Sequence, residues 1–175
     1  GSFPVGREPQ HVTPSYDMKT LYALSDIANT VTPIDPRTGK PRPAVAVEDP
    51  YNMYFTADGR YAIAVAERMA RLDFRDPRTM RLQRSLPVDC RGVDHMDFSR
   101  DGRFAIASCE FSSELLKIDL AGKRVVSKIT VGRGAGRPQD VRLAPNGRLF
   151  YVADMNAGGA WKVTLNPFRV TGFLA

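Results

Sequence analysis

The sequence predicts an all-β chain, a β-propeller of four four-stranded blades. Three observations carry that prediction. A turn signal recurs as Asp17-Met18-Lys19, Asp58-Gly59-Arg60, Asp101-Gly102-Arg103 and Asn146-Gly147-Arg148, a period of about 41–45 residues. Each turn is followed by a run that is apolar throughout, which suits a strand covered on both faces. Helical periodicity is absent, and the prolines fall at turns or strand edges, where a missing N–H is tolerated.

Each repeat parses in the same order. A short first strand, such as HMDFS or DVRLA, leads into the turn. Gly59, Gly102 and Gly147 provide the positive φ that a tight hairpin requires, and Met18 departs from the pattern. The second strands are 20–24, 61–65, 104–108 and 149–153. The third are 31–35, 69–73, 115–119 and 160–164, three of them closing on Asp35, Asp73 and Asp119. The fourth are 44–47, 85–88, 127–131 and 170–175. The blades then run about 6–47, 48–88, 89–131 and 132–175 of a single domain. Residues 3–5 match the tail of a fourth strand and read as a loose end with no sheet of its own.

The repeats APNGRLFYVAD, SRDGRFAIASCE and TADGRYAIAVAE, with the third strand VTPID, resemble the bacterial YVTN-type propeller repeat. That repeat is related to the lactonase-like and cytochrome-d1-like propellers. The resemblance covers nearly the whole chain and implies the fold more strongly than any activity. Such propellers commonly have seven or so blades. Four repeats leave three arrangements: a compact ring, a fragment of a longer ring, or half of a ring closed head to tail by a second copy. The expected arrangement is the homodimer, because an open half-ring bares two apolar blade faces. The resemblance slightly favours a periplasmic or secreted location; the sequence leaves the compartment open, since Gly1-Ser2 reads as a tag-cleavage scar.

Composition narrows the partners. The 175 residues carry a net charge of +6, with 43% hydrophobic and 25% charged residues, the balance of a water-soluble globular chain. No apolar run approaches the roughly 20 residues needed to span a bilayer. No aromatic residues interleave with the arginines, so no nucleic-acid partner is expected. The two cysteines, Cys90 and Cys109, lack metal or redox spacing and are expected as free, partly buried thiols, with a single bridge as the alternative.

Aligning Val12, Met53, Met96 and Val141 places His11, Asn52, His95 and Asp140 at one position of the first strand, expected to line the central channel. Two imidazoles, an amide and a carboxylate suit a polar ligand, and His11 and His95 are the candidates for a divalent metal. The second strands end on Asp26, Glu67, Glu110 and Asp154, with Asp49, Asp94 and Asp140 in the loops that lead into the first strands. One end of the blades is therefore expected to be acidic. Crowded carboxylates raise one another's pKa, which is how an acid/base catalyst arises.

The other end carries Lys19, Arg60, Arg103 and Arg148, joined by Arg37, Arg75, Arg78, Lys123 and Arg124, and is expected to be basic. The segment 132–138, GRGAGRP, reads as a rim loop able to cradle an anion. Trp161 reads as blade-to-blade packing. The functional expectation is a propeller binding a small molecule or a protein partner at the acidic mouth. The resemblance offers an alternative, a lactonase-like hydrolase or a strictosidine-synthase-like condensing enzyme, with Glu67 or Glu110 as acid/base or a metal at His11 and His95.

Overall fold

In the computed structural model, which describes residues 2–175, the repeat is visible as a register. Val12 pairs with Ala23, Met53 with Ala64, Met96 with Ala107 and Val141 with Val152. The four sequence repeats are thus four copies of one hairpin register. Gly1 of the Gly1-Ser2 pair lies outside the described residues.

Sixteen strands form four antiparallel four-stranded sheets, each in simple meander order. Blade 1 holds β1 (Pro9–Pro14), β2 (Leu21–Ser25), β3 (Thr30–Ile34) and β4 (Val45–Ala46). Blade 2 holds β5 (Asn52–Phe55), β6 (Ala62–Ala66), β7 (Arg71–Arg75) and β8 (Leu82–Pro87). Blade 3 holds β9 (Val93–Phe98), β10 (Phe104–Cys109), β11 (Glu114–Asp119) and β12 (Arg124–Thr130). Blade 4 holds β13 (Pro138–Leu143), β14 (Leu149–Asp154), β15 (Gly159–Leu165) and β16 (Phe168–Leu174). All-β architecture in four four-stranded blades is the expected fold. Two compact units divide the chain, one ending at Pro87 and holding blades 1 and 2, the other spanning Val88–Ala175 and holding blades 3 and 4.

Why these residues make these hairpins is clearest in the turns. Ser15, Thr56 and Ser99 each donate a side-chain hydrogen bond to the aspartate two residues on, Asp17, Asp58 and Asp101, at 2.8, 2.7 and 2.6 Å. The same carboxylates accept from the backbone amides of Lys19, Arg60 and Arg103. The fourth blade has Ala144 and Asn146 instead, and the Asn146 amide oxygen still accepts from the Arg148 amide. Local polar bonding of this kind competes with continued strand and closes the hairpin.

Three apolar second strands are buried as predicted: β2 from Tyr22 to Ser25, β6 along its whole length, and β10 from Ala105 to Cys109. In β14 burial alternates instead, with Leu149, Tyr151 and Ala153 on the more open face. In the first unit Leu24, Val31 and Tyr22 pack on Met53, Ala64 and Met80 across the two blades. In the second, Ile106, Leu115 and Val131 pack on Val141, Phe150, Val152 and Val163. Each large side chain buried this way contributes about 1.5–3 kcal/mol.

Three expectations are corrected. The third strand of blade 2 is shifted two residues from 69–73 to Arg71–Arg75, so Asp73 lies in mid-strand and is fully buried. The turn aspartate equivalent to Asp35 is Asp76: each accepts the amide two residues on, Arg37 or Arg78. Arg75, expected on the basic end, is instead 5% exposed and bonded to Asp73 and the Met80 carbonyl, because a buried carboxylate needs cations beside it. The cysteines are not free thiols: Cys90 and Cys109 form a disulfide, their Cα atoms 6.0 Å apart. Pairing of Val93 with Cys109 carries the preceding loop back over the end of β10, which brings Cys90 alongside. Residues 3–5 belong to no strand.

Candidate functional site

The ends of the second strands carry carboxylates as the repeat requires, but the arginines beside them were not anticipated. In the first unit Asp49 is fully buried. Its Oδ1 lies 2.8 Å from Arg68 Nε, and its Oδ2 accepts from the Met69 amide at 3.0 Å. Arg68 also donates to the Asp26 carbonyl at 3.0 Å. The buried Asp26 carboxylate accepts from the next amide, Ile27. Glu67 follows β6 and is half-buried. His11 Nδ1 lies 2.8 Å from the Tyr51 carbonyl, its ring edge-on to the Tyr51 ring. Asn52 uses its amide locally, donating to the Tyr54 hydroxyl and accepting from the Met53 amide.

In the second unit two of the predicted residues meet. His95 Nδ1 lies 3.4 Å from Asp140 Oδ1, and Arg142 approaches the same oxygen at 3.4 Å. His95 is buried while Asp140 is exposed. Behind them Asp94 is fully buried and accepts from the His95 amide and the Ser108 hydroxyl. The Ser108 oxygen also lies 2.6 Å from the Gln139 carbonyl, so it ties β10 to β13. Ser108 is thus a strand fastener. Among the described residues no group of three or more His, Cys, Asp and Glu is placed to hold a metal ion.

Glu110 occupies the most site-like position. It leaves β10 directly after the disulfide-bonded Cys109 and enters a single 3₁₀ turn, Glu110–Ser112. Its carboxylate, 7% exposed, is ion-paired with the half-exposed guanidinium of Arg137, which also lies 5.7 Å over the Phe111 ring. Ser113 donates to the Gly136 carbonyl at 2.6 Å and fixes the loop 132–138 against the turn. A Cβ on Gly136 would come within 2.6 Å of Asp154, so glycine is required there. Glu110, Phe111, Ser113, Gly134, Arg137 and Asn156 line an open cleft of about 380 Å³.

Asp154 underlies this cleft as a structural pin. It accepts from the backbone amides of Arg137, Asn156 and Ala157 and from Trp161 Nε1 at 2.7 Å. Burial pushes its carboxyl up, but those four donors outweigh burial and hold it below the usual carboxylate value. Its acceptor capacity is therefore taken up internally. Trp161 lies against Phe173 of its own blade, ring centroids 4.5 Å apart, and also packs on the core that blades 3 and 4 share.

The acidic end is consequently mixed in charge, with Arg68 and Arg137 placed against its buried carboxylates. Sequence reasoning found Glu110 and missed Phe111, Ser113 and Asn156, which lie in turns outside the strand repeat. Ser113 adopts a left-handed backbone (φ 58°), a feature with no signature in the residue type.

No protein-family model matches the chain, and no curated protein sequence does. Among solved structures, the chain is similar to a chain titled Kuenenia stuttgartiensis hydrazine synthase, at 21% identity and a TM-score of 0.83. The match covers 98% of this chain and 50% of that one, so this chain spans half the length of its structural neighbour. Among the described residues no helix is long and apolar enough to cross a membrane. The likeness establishes the β-propeller fold and carries no activity across.

Proposed function

We propose that this chain is a binding propeller that takes a small polar ligand, or the end of a protein partner, in the Glu110–Arg137 cleft. One observation carries the reading: a buried carboxylate faces a half-exposed guanidinium at the floor of a cleft of small-molecule size. Glu110 offers an acceptor and Arg137 a planar set of donors, so the fitting ligand carries both a donor and an anionic or carbonyl acceptor. A glutamate engaged by arginine is an anchor, which favours binding over the acid/base role for Glu110. The glycine-rich loop supplies one wall.

The test is a thermal-shift panel of free amino acids, sugars and small dicarboxylates. At least one class is expected to raise the melting temperature of the wild type and to lose its effect in Glu110→Gln and Arg137→Ala. No shift dependent on those two residues would remove the cleft as a site.

We further propose that the ring is completed by a second copy. Met53 and Val141 are fully buried against the preceding blade of their own unit, whereas Val12 at the same register position is 60% exposed, as a blade face awaiting a neighbour would be. The mass in solution decides: a monomer overturns the homodimer. The disulfide supports the oxidising, periplasmic or secreted location.

A further inference from the structure

The two units contain the same inter-blade junction built twice, and only one of the two is filled. In the second unit Lys117, 9% exposed, reaches from β11 toward the turn after β15. Its ammonium donates to the Leu165 carbonyl at 3.0 Å and to Asn166 Oδ1 at 2.8 Å, and it lies 4.5 Å over the Phe104 ring. Lysine and phenylalanine together plug the junction of blades 3 and 4.

The registers identify the matching residues in the first unit. Lys117 pairs with Ile106 and Pro33 with Tyr22, two equivalent pairs. Phe104 and Thr20 play the same part, each accepting at its carbonyl from the first turn residue, Ser99 or Ser15. Leu165 and Asn166 correspond to Pro77 and Arg78. The frame is the same down to its glycine. A Cβ on Gly147 would strike Arg100 at 2.8 Å, and one on Gly59 would strike Tyr16 at 2.8 Å. The plug, however, is gone: proline replaces the lysine, and threonine replaces the phenylalanine.

Where the plug is missing lies a cleft of about 430 Å³, and Thr20, Pro77 and Arg78 are among its walls. Its apolar floor is Tyr22 and Phe55, with ring centroids 6.1 Å apart and planes inclined by 30°. Its charged walls are Arg42, Arg78, Asp17 and Asp58. The two carboxylates are already engaged: each accepts from a turn hydroxyl and an amide, with Lys19 or Arg60 about 4 Å from its second oxygen. Arg42 gives one N–H to the Thr20 hydroxyl. The Arg78 guanidinium has no hydrogen-bond or ion-pair partner among the described residues. The charge left to meet a ligand is therefore positive, above an aromatic floor.

We infer that the cleft between blades 1 and 2 is a binding site for a small aromatic anion, its ring on Tyr22 and Phe55 and its carboxylate or phosphate on Arg42 and Arg78. The ligand takes the place that protein side chains fill in the other unit.

Isothermal titration with 4-hydroxybenzoate as the probe tests this. Saturable binding is expected, weakened about tenfold or more in Arg78→Ala and in Arg42→Ala. Acetate, which lacks the ring, and benzyl alcohol, which lacks the charge, should each bind far more weakly. The double variant Thr20→Phe/Pro33→Lys rebuilds the plug and should abolish binding while circular dichroism shows an intact fold. If that variant does not fold, the two arginine variants decide alone. No saturable heat at 10 mM probe, roughly the limit of useful affinity, overturns the site. So does binding that is indifferent to both arginines.

Discussion

Asp73, fully buried in the middle of β7, has its Oδ2 3.1 Å from Nη2 of Arg75, two residues along the same strand. Arg71 closes the other side at 3.0 Å, and the Ser85 hydroxyl donates at 2.6 Å. Strand alternation puts residues 71, 73 and 75 on one face, so the sequence Arg-Leu-Asp-Phe-Arg lays a cation, an anion and a cation in a row. Removing the anion alone leaves Arg71 its Glu48 partner but leaves the buried Arg75 guanidinium with only the Met80 carbonyl and no counter-charge. Asp73→Ala is expected to destabilise the first unit by about 3–5 kcal/mol. Replacing the row with Leu at all three positions should be far milder. Urea melts of both variants check this, and equal losses would show that the network acts as ordinary packing.

Lys117 is the plug of the second unit, and it is buried with two oxygen acceptors and an aromatic face. Lys117→Ala strands the Asn166 side chain and opens a void beside Phe104. A loss of about 1–3 kcal/mol follows from the unmade bonds. Lys117→Met, which keeps the volume but not the bonds, should recover only part of it. Full recovery would mean that the ammonium contributes nothing specific.

The disulfide closes a loop between residues 19 apart. Its removal in Cys90→Ala/Cys109→Ala should lower stability by about 3 kcal/mol through the freed unfolded chain. The melting temperature should then fall by roughly 6–12 °C for a protein of this size. Differential scanning calorimetry under oxidising and reducing conditions measures it. A wild type whose transition ignores reductant, although thiol labelling shows the bond is broken, would contradict the expectation.

The repeat turns make an acid-sensitivity prediction. The carboxyls of Asp17, Asp58 and Asp101 are held below their ordinary value of 3.8, first by the hydroxyls of Ser15, Thr56 and Ser99 and also by turn amides. A carboxyl with a lower folded than unfolded pKa contributes stability that is complete above the unfolded value. That stability is lost as pH falls through the folded one. The three turns should therefore weaken together below about pH 4. Asparagine already serves at position 146. Changing all three aspartates to asparagine should flatten the fall in melting temperature between pH 5 and 3. An unchanged slope would assign the acid sensitivity to other carboxylates.

Much of the fold was legible because propeller blades advertise themselves locally. The Asp-Gly-Arg turns and the unbroken apolar second strands state where each hairpin folds, and no long-range information is needed. The third strand of blade 2 misled because its buried face is ionic. Asp73 and Arg75 look like turn residues until the Arg-Asp-Arg row is seen as one compensated unit. The disulfide was illegible for another reason: cysteines 19 residues apart say nothing of a meeting that depends on the lead-in loop folding back.

Of the candidate site, Glu110 and the Gly-rich segment could be read from the repeat, since both break its apolar rhythm. The partner Arg137 could be seen but not paired. The open cleft of the first unit escaped entirely, because it is defined by side chains that are absent, and only comparison of Pro33 with Lys117 reveals it.

The Cys90–Cys109 bond also sets how the second unit responds to pulling. A chain drawn from its two ends cannot extend the segment between the cysteines while that bond holds. At about 3.4 Å per residue, the 19-residue separation hides roughly 65 Å of contour length. Force therefore bypasses β9 and most of β10, including His95 and Asp94, and passes from Cys90 through the bond to Cys109 and on into Glu110. The cleft lies on the loaded path and the hairpin behind it does not, so that length is released only when a reductant cuts the link.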